Sequence, residues 1–299
     1  MKWVYRLVLL PVSRLPYGAL YALSSVLSFL ALRVGGYRRA VIRGNLDRSF
    51  PDQPGKERRR IERAFGKHFG DLVVEAIKHF SVSEATVAPR MRYEGTELLD
   101  AFHDAGRHVV IAGGHQNNWE LYAVTADRPL RHQVTAIYKR LSDAFMDGVM
   151  RQSRERFGLK MIPTLEAKAW AQKHLAPDAE PKQAVVFGFD QSPANPAKSW
   201  WTTFLHQETA WYWGMEQFAR THDMPVVFGH IRKERRGHYV CRYEVVTDAP
   251  RLLPEGDILR RCIDLLEADI RREPEHWLWT HKRWKHRRPA SSPLNPRTP

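Results

Sequence analysis

One stretch of this chain is apolar without interruption, and the rest alternates between short apolar runs and amphipathic segments. The uninterrupted stretch is Leu15–Leu32, LPYGALYALSSVLSFLAL, which carries no charge. Eighteen helical residues rise about 27 Å, just short of the roughly 30 Å hydrocarbon core of a bilayer. Arg14 precedes the run, Arg33, Arg38 and Arg39 follow it, and no carboxylate appears before Asp47. The pattern predicts a hydrophobic helix within residues 1–36 that anchors the chain to a membrane, by spanning it or by lying in its interface. A buried core helix and an uncleaved export signal are the competing readings. The run ends in arginines rather than small residues, which fits a cleaved signal peptide poorly.

Beyond it, Ile61, Phe65, Phe69, Leu72 and Val73 recur at spacings of three and four, which predicts a helix over 56–80. HVVIAGG (108–114), QVTAIYK (133–139) and QAVVFGFD (183–190) are short apolar runs expected to be buried strands, with a short strand at 160–163. Helices are expected from 117, over 143–157 and 165–174, over 209–223 and over 256–272. Residues 224–246 suit two strands joined by a turn at 234–238. Strand–helix alternation of this kind predicts an α/β fold, a central mostly parallel sheet flanked by helices. The expected organisation is a membrane-anchoring helix in 1–36, a catalytic domain in 37–288 and a Pro- and Ser-rich disordered tail in 289–299.

Forty-seven Lys and Arg against 33 Asp and Glu in 299 residues leave a formal charge of +14, so an anionic partner is expected. Nucleic acid is disfavoured: there is no zinc-finger spacing, no RNP-like motif and no basic recognition helix. Two cysteines cannot make a disulfide framework. His281 and His286 lack Cys or acidic companions, so no metal and no cofactor is expected.

The candidate chemistry sits in Gly113-Gly114-His115-Gln116-Asn117-Asn118-Trp119-Glu120. Ligands in α/β sheets bind at the carboxyl ends of strands, and glycines there let a substrate approach the backbone. Five residues turn a helix about 140° net, so His115 and Glu120 cannot share one regular helical face. His115 is therefore expected in the loop, with Asn117 or Asn118 capping the helix and Glu120 in its first turn, reaching one imidazole nitrogen. Such a pair is a general base for an alcohol or amine. No Ser or Cys lies in the motif, so direct attack by the substrate is the simpler mechanism.

These residues resemble the H-x4-[DE] motif of the lysophospholipid acyltransferase-like superfamily, and more closely the bacterial lipid A biosynthesis acyltransferases. Four further blocks in the same order are similar to that family: Tyr138-Lys139-Arg140-Leu141 with Asp147 and Arg154-Glu155-Arg156-Phe157-Gly158; Asp190-Gln191; Thr203-Phe204-Leu205 with the following Thr209; and Pro274-Glu275-His276-Trp277-Leu278-Trp279-Thr280-His281-Lys282-Arg283-Trp284-Lys285. The resemblance spans roughly residues 1–288. The family often has Gly where Asn117 stands, Arg at Lys139 and Pro at Arg140. It implies transfer of a fatty acyl group from an acyl carrier protein thioester to a hydroxyl of a lipid A precursor, with His115 as base and Glu120 orienting it. Gly114, Asn118, Lys139, Asp190 and Arg154 are then expected to bind substrate. Lys139 and the amides near Gly114 would stabilise the oxyanion, and Asp190 would orient a basic residue. The implied partners are an acyl carrier protein, an anionic membrane and a phosphorylated glycolipid, at the cytoplasmic face of the bacterial inner membrane. A different acceptor (glycerol phosphate, ornithine lipid, glycolipid or aryl polyene) is the alternative. Trp277, Trp279 and Trp284 among seven Lys and Arg over 271–288 are expected to lie at headgroup level.

Overall fold

The computed structural model describes residues 1–30 and 36–296; Leu32 and Arg33 at the end of the apolar run, and residues 297–299 of the expected tail, lie outside the described residues. Residues 2–13 are helical, and Pro16 breaks that stretch from α1 (Tyr17–Ser28). Next come α2 (Arg39–Ser49) and the long α3 (Gly55–Lys78). Among the described residues no helix is long and apolar enough to cross a membrane.

Instead, α1 docks on α3, and its faces are inverted. Leu20, Ser24 and Ser28 are buried while Val26 and Leu27 are exposed. Ser24 Oγ donates to Asp71 Oδ1 at 2.7 Å and Tyr21 OH to Glu75 Oε1 at 2.9 Å. Arg236 donates to both Asp71 oxygens. The approach is close because Gly70 has no side chain: a Cβ there would lie 1.7 Å from Ser28 Oγ.

The sheet follows as β1 (Met91–Glu94), α4 (Thr96–Asp104), β2 (Val109–Gly113), α5 (Trp119–Thr125), β3 (Gln133–Tyr138), α6 (Ala144–Glu155), β4 (Lys160–Pro163), α7 (Ala167–His174) and β5 (Gln183–Gly188). A small antiparallel ribbon, β6 (Trp200–Phe204) and β7 (Gln207–Trp211), precedes α8 (Gly214–Thr221). The chain then forms β8 (Val226–Arg235), β9 (His238–Thr247) and α9 (Asp257–Arg272). The seven-stranded order is β1-β9-β8-β2-β5-β3-β4. Every pairing is parallel except β8 with β9, so the expected mostly parallel sheet is present.

The central strands β2 and β5 are apolar on both faces, as a sheet covered on both sides requires. Val110, Ala112 and Val185 pack into a core with α2, α3, α8 and α9. Val109, Ile111 and Ala184 pack into another beneath α4 and α5.

One expectation is corrected. The helix expected over 209–223 begins only at Gly214, because Gln207–Trp211 pairs with Trp200–Phe204. Further along, Asn295 N donates to Trp201 O at 2.8 Å and Thr202 Oγ1 to Asn295 O at 2.8 Å.

Substituting Gly70→Val should force α1 off α3. Limited proteolysis is expected to release the N-terminal helices at least tenfold faster than in the wild type, corresponding to a packing cost of roughly 1–3 kcal/mol. An unchanged cleavage pattern would show that the Ser28–Gly70 contact does not hold the helix.

Candidate active site

The site is built from two neighbouring strand ends in register. Gly113, the last residue of β2, pairs with Gly188, the last of β5. Two residues beyond each lie His115 and Asp190, so one ladder rung sets a base beside a carboxylate. The imidazole lies across Gly188, where a Cβ would be 2.9 Å from His115 Cε1, so a side chain there would push the ring from its place.

Asp190 is 2% exposed and accepts three hydrogen bonds: from His115 N at 2.8 Å, from His115 Nδ1 at 2.5 Å and from Trp277 Nε1 at 2.8 Å. Burial alone would raise its pKa, but the imidazole and the donors outweigh that and hold it at about 2. For His115, burial favours the neutral ring, yet the charge and hydrogen bond of Asp190 prevail and lift its pKa above the ordinary 6.5. In the neutral ring, Nδ1–H donated to Asp190 leaves the lone pair on Nε2, which faces the Gln191 amide at 3.0 Å.

Asn117 turns the chain out of the strand with φ 51°, the left-handed region that Gly and Asn tolerate best. This accounts for Asn standing where the family often has Gly. Its backbone N–H donates to His276 O at 2.8 Å. Asn118 caps α5, accepting from Leu121 N at 2.8 Å. Its Nδ2 donates to Glu75 Oε2 at 2.5 Å, and Glu75 also accepts from Tyr239 OH at 3.0 Å.

The carboxylate on the imidazole is thus Asp190, not the expected Glu120. Glu120 faces Arg154 instead, at 2.7 Å from Nη2 and 3.0 Å from Nε. Its position in the first turn of α5 aims it at α6 rather than back at the loop. Burial would raise the Glu120 pKa, but the Arg154 guanidinium holds it below the usual carboxylate value.

His115, Glu120, Arg154, Gly114 and Gln191 line one cavity of about 330 Å3, whose walls include Ile111, Ala123, Ala136, Leu159, Met161 and Val186. Three expected substrate contacts are placed differently. Asn118 is 2% exposed, its side chain used by the cap and by Glu75; Asp190 is equally buried and used by His115; Lys139 is exposed at the end of β3 and does not line the cavity. The tryptophans expected at headgroup level are also corrected. Trp277 and Trp279 are buried, the second donating to Pro274 O at 2.6 Å, and Trp284 Nε1 donates to Thr209 Oγ1 at 2.8 Å. Among the described residues no His, Cys, Asp and Glu group could hold a metal.

The model of the family described as bacterial lipid A biosynthesis acyltransferase matches residues 1–286. The chain belongs to that family. It is 25% identical over 274 residues to a lipid A biosynthesis acyltransferase of Haemophilus influenzae, covering 89% of this chain and 83% of the relative. It is 23% identical over 278 residues to the lipid A biosynthesis palmitoleoyltransferase of Escherichia coli, covering 90% of this chain and 88% of the relative. Membership makes the protein an enzyme of the transferase type. Two residues of the quoted blocks touch the His115–Asp190 pair without having been expected there: Trp277, which was expected at headgroup level, and Gln191, which had no expected role.

Asp190→Asn should lower kcat by about 10²–10⁴-fold, since the imidazolium formed in the reaction loses its counter-charge and the tautomer is no longer fixed. Loss of the cause that raises the His115 pKa should also move the acid limb of the rate profile to lower pH. A rate within threefold of wild type, or an unmoved limb, would reject the pairing as functional.

Proposed function

We propose that the protein transfers a fatty acyl group from an acyl carrier protein thioester to a hydroxyl of a lipid A precursor. The observation that carries this reading is the largely apolar cavity lined by His115, whose Nδ1 is held by Asp190. A pocket of a few hundred Å3 with mostly apolar walls and a few convergent polar groups suits a hydrocarbon tail with its reactive head at the base.

In the proposed reaction the acceptor hydroxyl gives its proton to His115 Nε2 as its oxygen attacks the thioester carbonyl. Asp190 stabilises the imidazolium that forms. Collapse of the tetrahedral intermediate breaks the carbon–sulfur bond, and the departing thiolate takes the proton back, leaving ester and thiol. Glu120 and Arg154, held together as an ion pair, form the charged part of the cavity wall.

The proposed location is the cytoplasmic face of the inner membrane, seated in the interface rather than spanning it. Supporting this, Trp3 is 71% exposed, Leu7 70% and Phe29 57%, with Lys2, Arg6 and Arg14 interspersed. Apolar side chains among basic ones suit an anionic lipid surface. The excess of 14 positive charges also suits an acidic carrier protein and a phosphorylated acceptor.

Mass spectrometry of lipid A from a strain lacking the protein should find one secondary acyl chain missing, restored by the wild-type chain and not by an Asp190→Asn variant. An unaltered acylation pattern would overturn the acceptor assignment. Ala136 faces the cavity between Met161 and Val186 on the neighbouring strands. Ala136→Leu should shorten the preferred donor, lowering kcat/KM for the longest accepted chain by about tenfold or more while sparing shorter ones. A uniform loss across chain lengths would remove the cavity from the acyl-binding role.

A further inference from the structure

Both ring nitrogens of His115 are engaged, but only Nδ1 by a carboxylate. Nε2, the atom that has to accept the proton, lies 3.0 Å from Nε2 of the Gln191 side chain. In the neutral ring, with Nδ1–H donated to Asp190, Nε2 carries the lone pair, and the amide nitrogen facing it presents an N–H. Gln191 follows Asp190 directly, is exposed and lines the cavity. Its amide therefore stands where the O–H of an acceptor would stand: a donor, at hydrogen-bond distance, on the same lone pair and from the cavity side.

We propose that Gln191 is a positioning residue that occupies His115 Nε2 in the free enzyme and yields that place to the acceptor hydroxyl. The proposal rests on the reading of His115 as the base. The exchange is one donor for another, so Nε2 keeps one hydrogen bond throughout, and an acceptor group without a hydrogen to donate cannot displace the amide. Until the acceptor arrives, the amide keeps water from the base, which limits hydrolysis of the thioester to free acid and thiol.

A hydrogen bond to the lone pair favours the neutral ring, and so opposes Asp190, which favours the charged one. The other groups facing the imidazole are the Glu120–Arg154 pair, His281 across the site and the Trp119 ring, with centroids 5.3 Å apart. None of these changes in a Gln191 variant.

The experiment is an NMR titration of the His115 ring in the full-length protein, compared among wild type, Gln191→Ala and Gln191→Glu, with the acyl-transfer and hydrolysis rates of each followed against pH. His115 should titrate lowest in the wild type, about half a unit to one unit higher in Gln191→Ala, and higher again in Gln191→Glu, whose carboxylate accepts from the imidazolium. The acid limb of transfer should follow the same order. At a pH above all three titrations, Gln191→Ala should raise hydrolysis relative to transfer by about threefold or more, the rate equivalent of one modest hydrogen bond. Identical titrations in the three proteins would overturn the proposal, as would an unchanged ratio of hydrolysis to transfer. A ring titration that moves while the transfer limb stays fixed would leave the Gln191 contact standing and refute His115 as the base, so the two readings fail separately.

Discussion

A carboxylate removed from water costs several kcal/mol unless other donors replace the solvent. Asp190 is almost wholly buried and meets this demand with three N–H groups from two distant stretches of chain: the backbone and imidazole just beyond β2, and an indole near the carboxyl terminus. Each donor fixes something different. The backbone contact sets the distance between the ends of β2 and β5, the imidazole contact selects the tautomer, and the indole contact ties the segment after α9 to the site. Asn117 N on His276 O and the isolated bridge of Gln116 with Trp277 reinforce that last tie. Removing the charge from this one group would loosen three parts of the fold at once.

Much of this was legible because the signals were local. Valine-rich runs ending in glycine marked β2 and β5, and the five-residue separation correctly excluded a shared helical face for His115 and Glu120. The partner of the imidazole was not legible, because spacing along the chain cannot reveal that β5 lies next to β2 in register. The ribbon was hidden for a different reason. Its turn residues, Leu205 and His206, have φ of 47° and 64°, a conformation usually supplied by Asn-Gly, so no turn signal separated the strands. The C-terminal tryptophans looked interfacial from their basic neighbours. In the fold they fill the core beside the ribbon, with Arg283 itself buried over the Trp211 ring at 4.4 Å.

The N-terminal region illustrates the limit of hydropathy as a guide. An eighteen-residue apolar run suggested a membrane-anchoring helix, spanning or interfacial, or a core helix; its helical part turns Leu20, Ser24 and Ser28 toward the protein and keeps Val26 and Leu27 outside. Hydropathy sums over faces and so cannot tell an all-round apolar helix from one whose small polar residues meet buried carboxylates. Through Tyr21 and Glu75 that helix connects to Asn118, and so to the start of the helix carrying Glu120.

Removing the first thirty or so residues would reach beyond α1 itself. Here the cut would remove the hydroxyls that satisfy Asp71 and Glu75. Glu75, whose burial already pushes its carboxyl toward the neutral acid, would lose one of its phenol donors while still gripping the cap of α5. A shortened version would lose the scaffold beneath its own motif, because the cap of α5 rests on a carboxylate that α1 helps to satisfy.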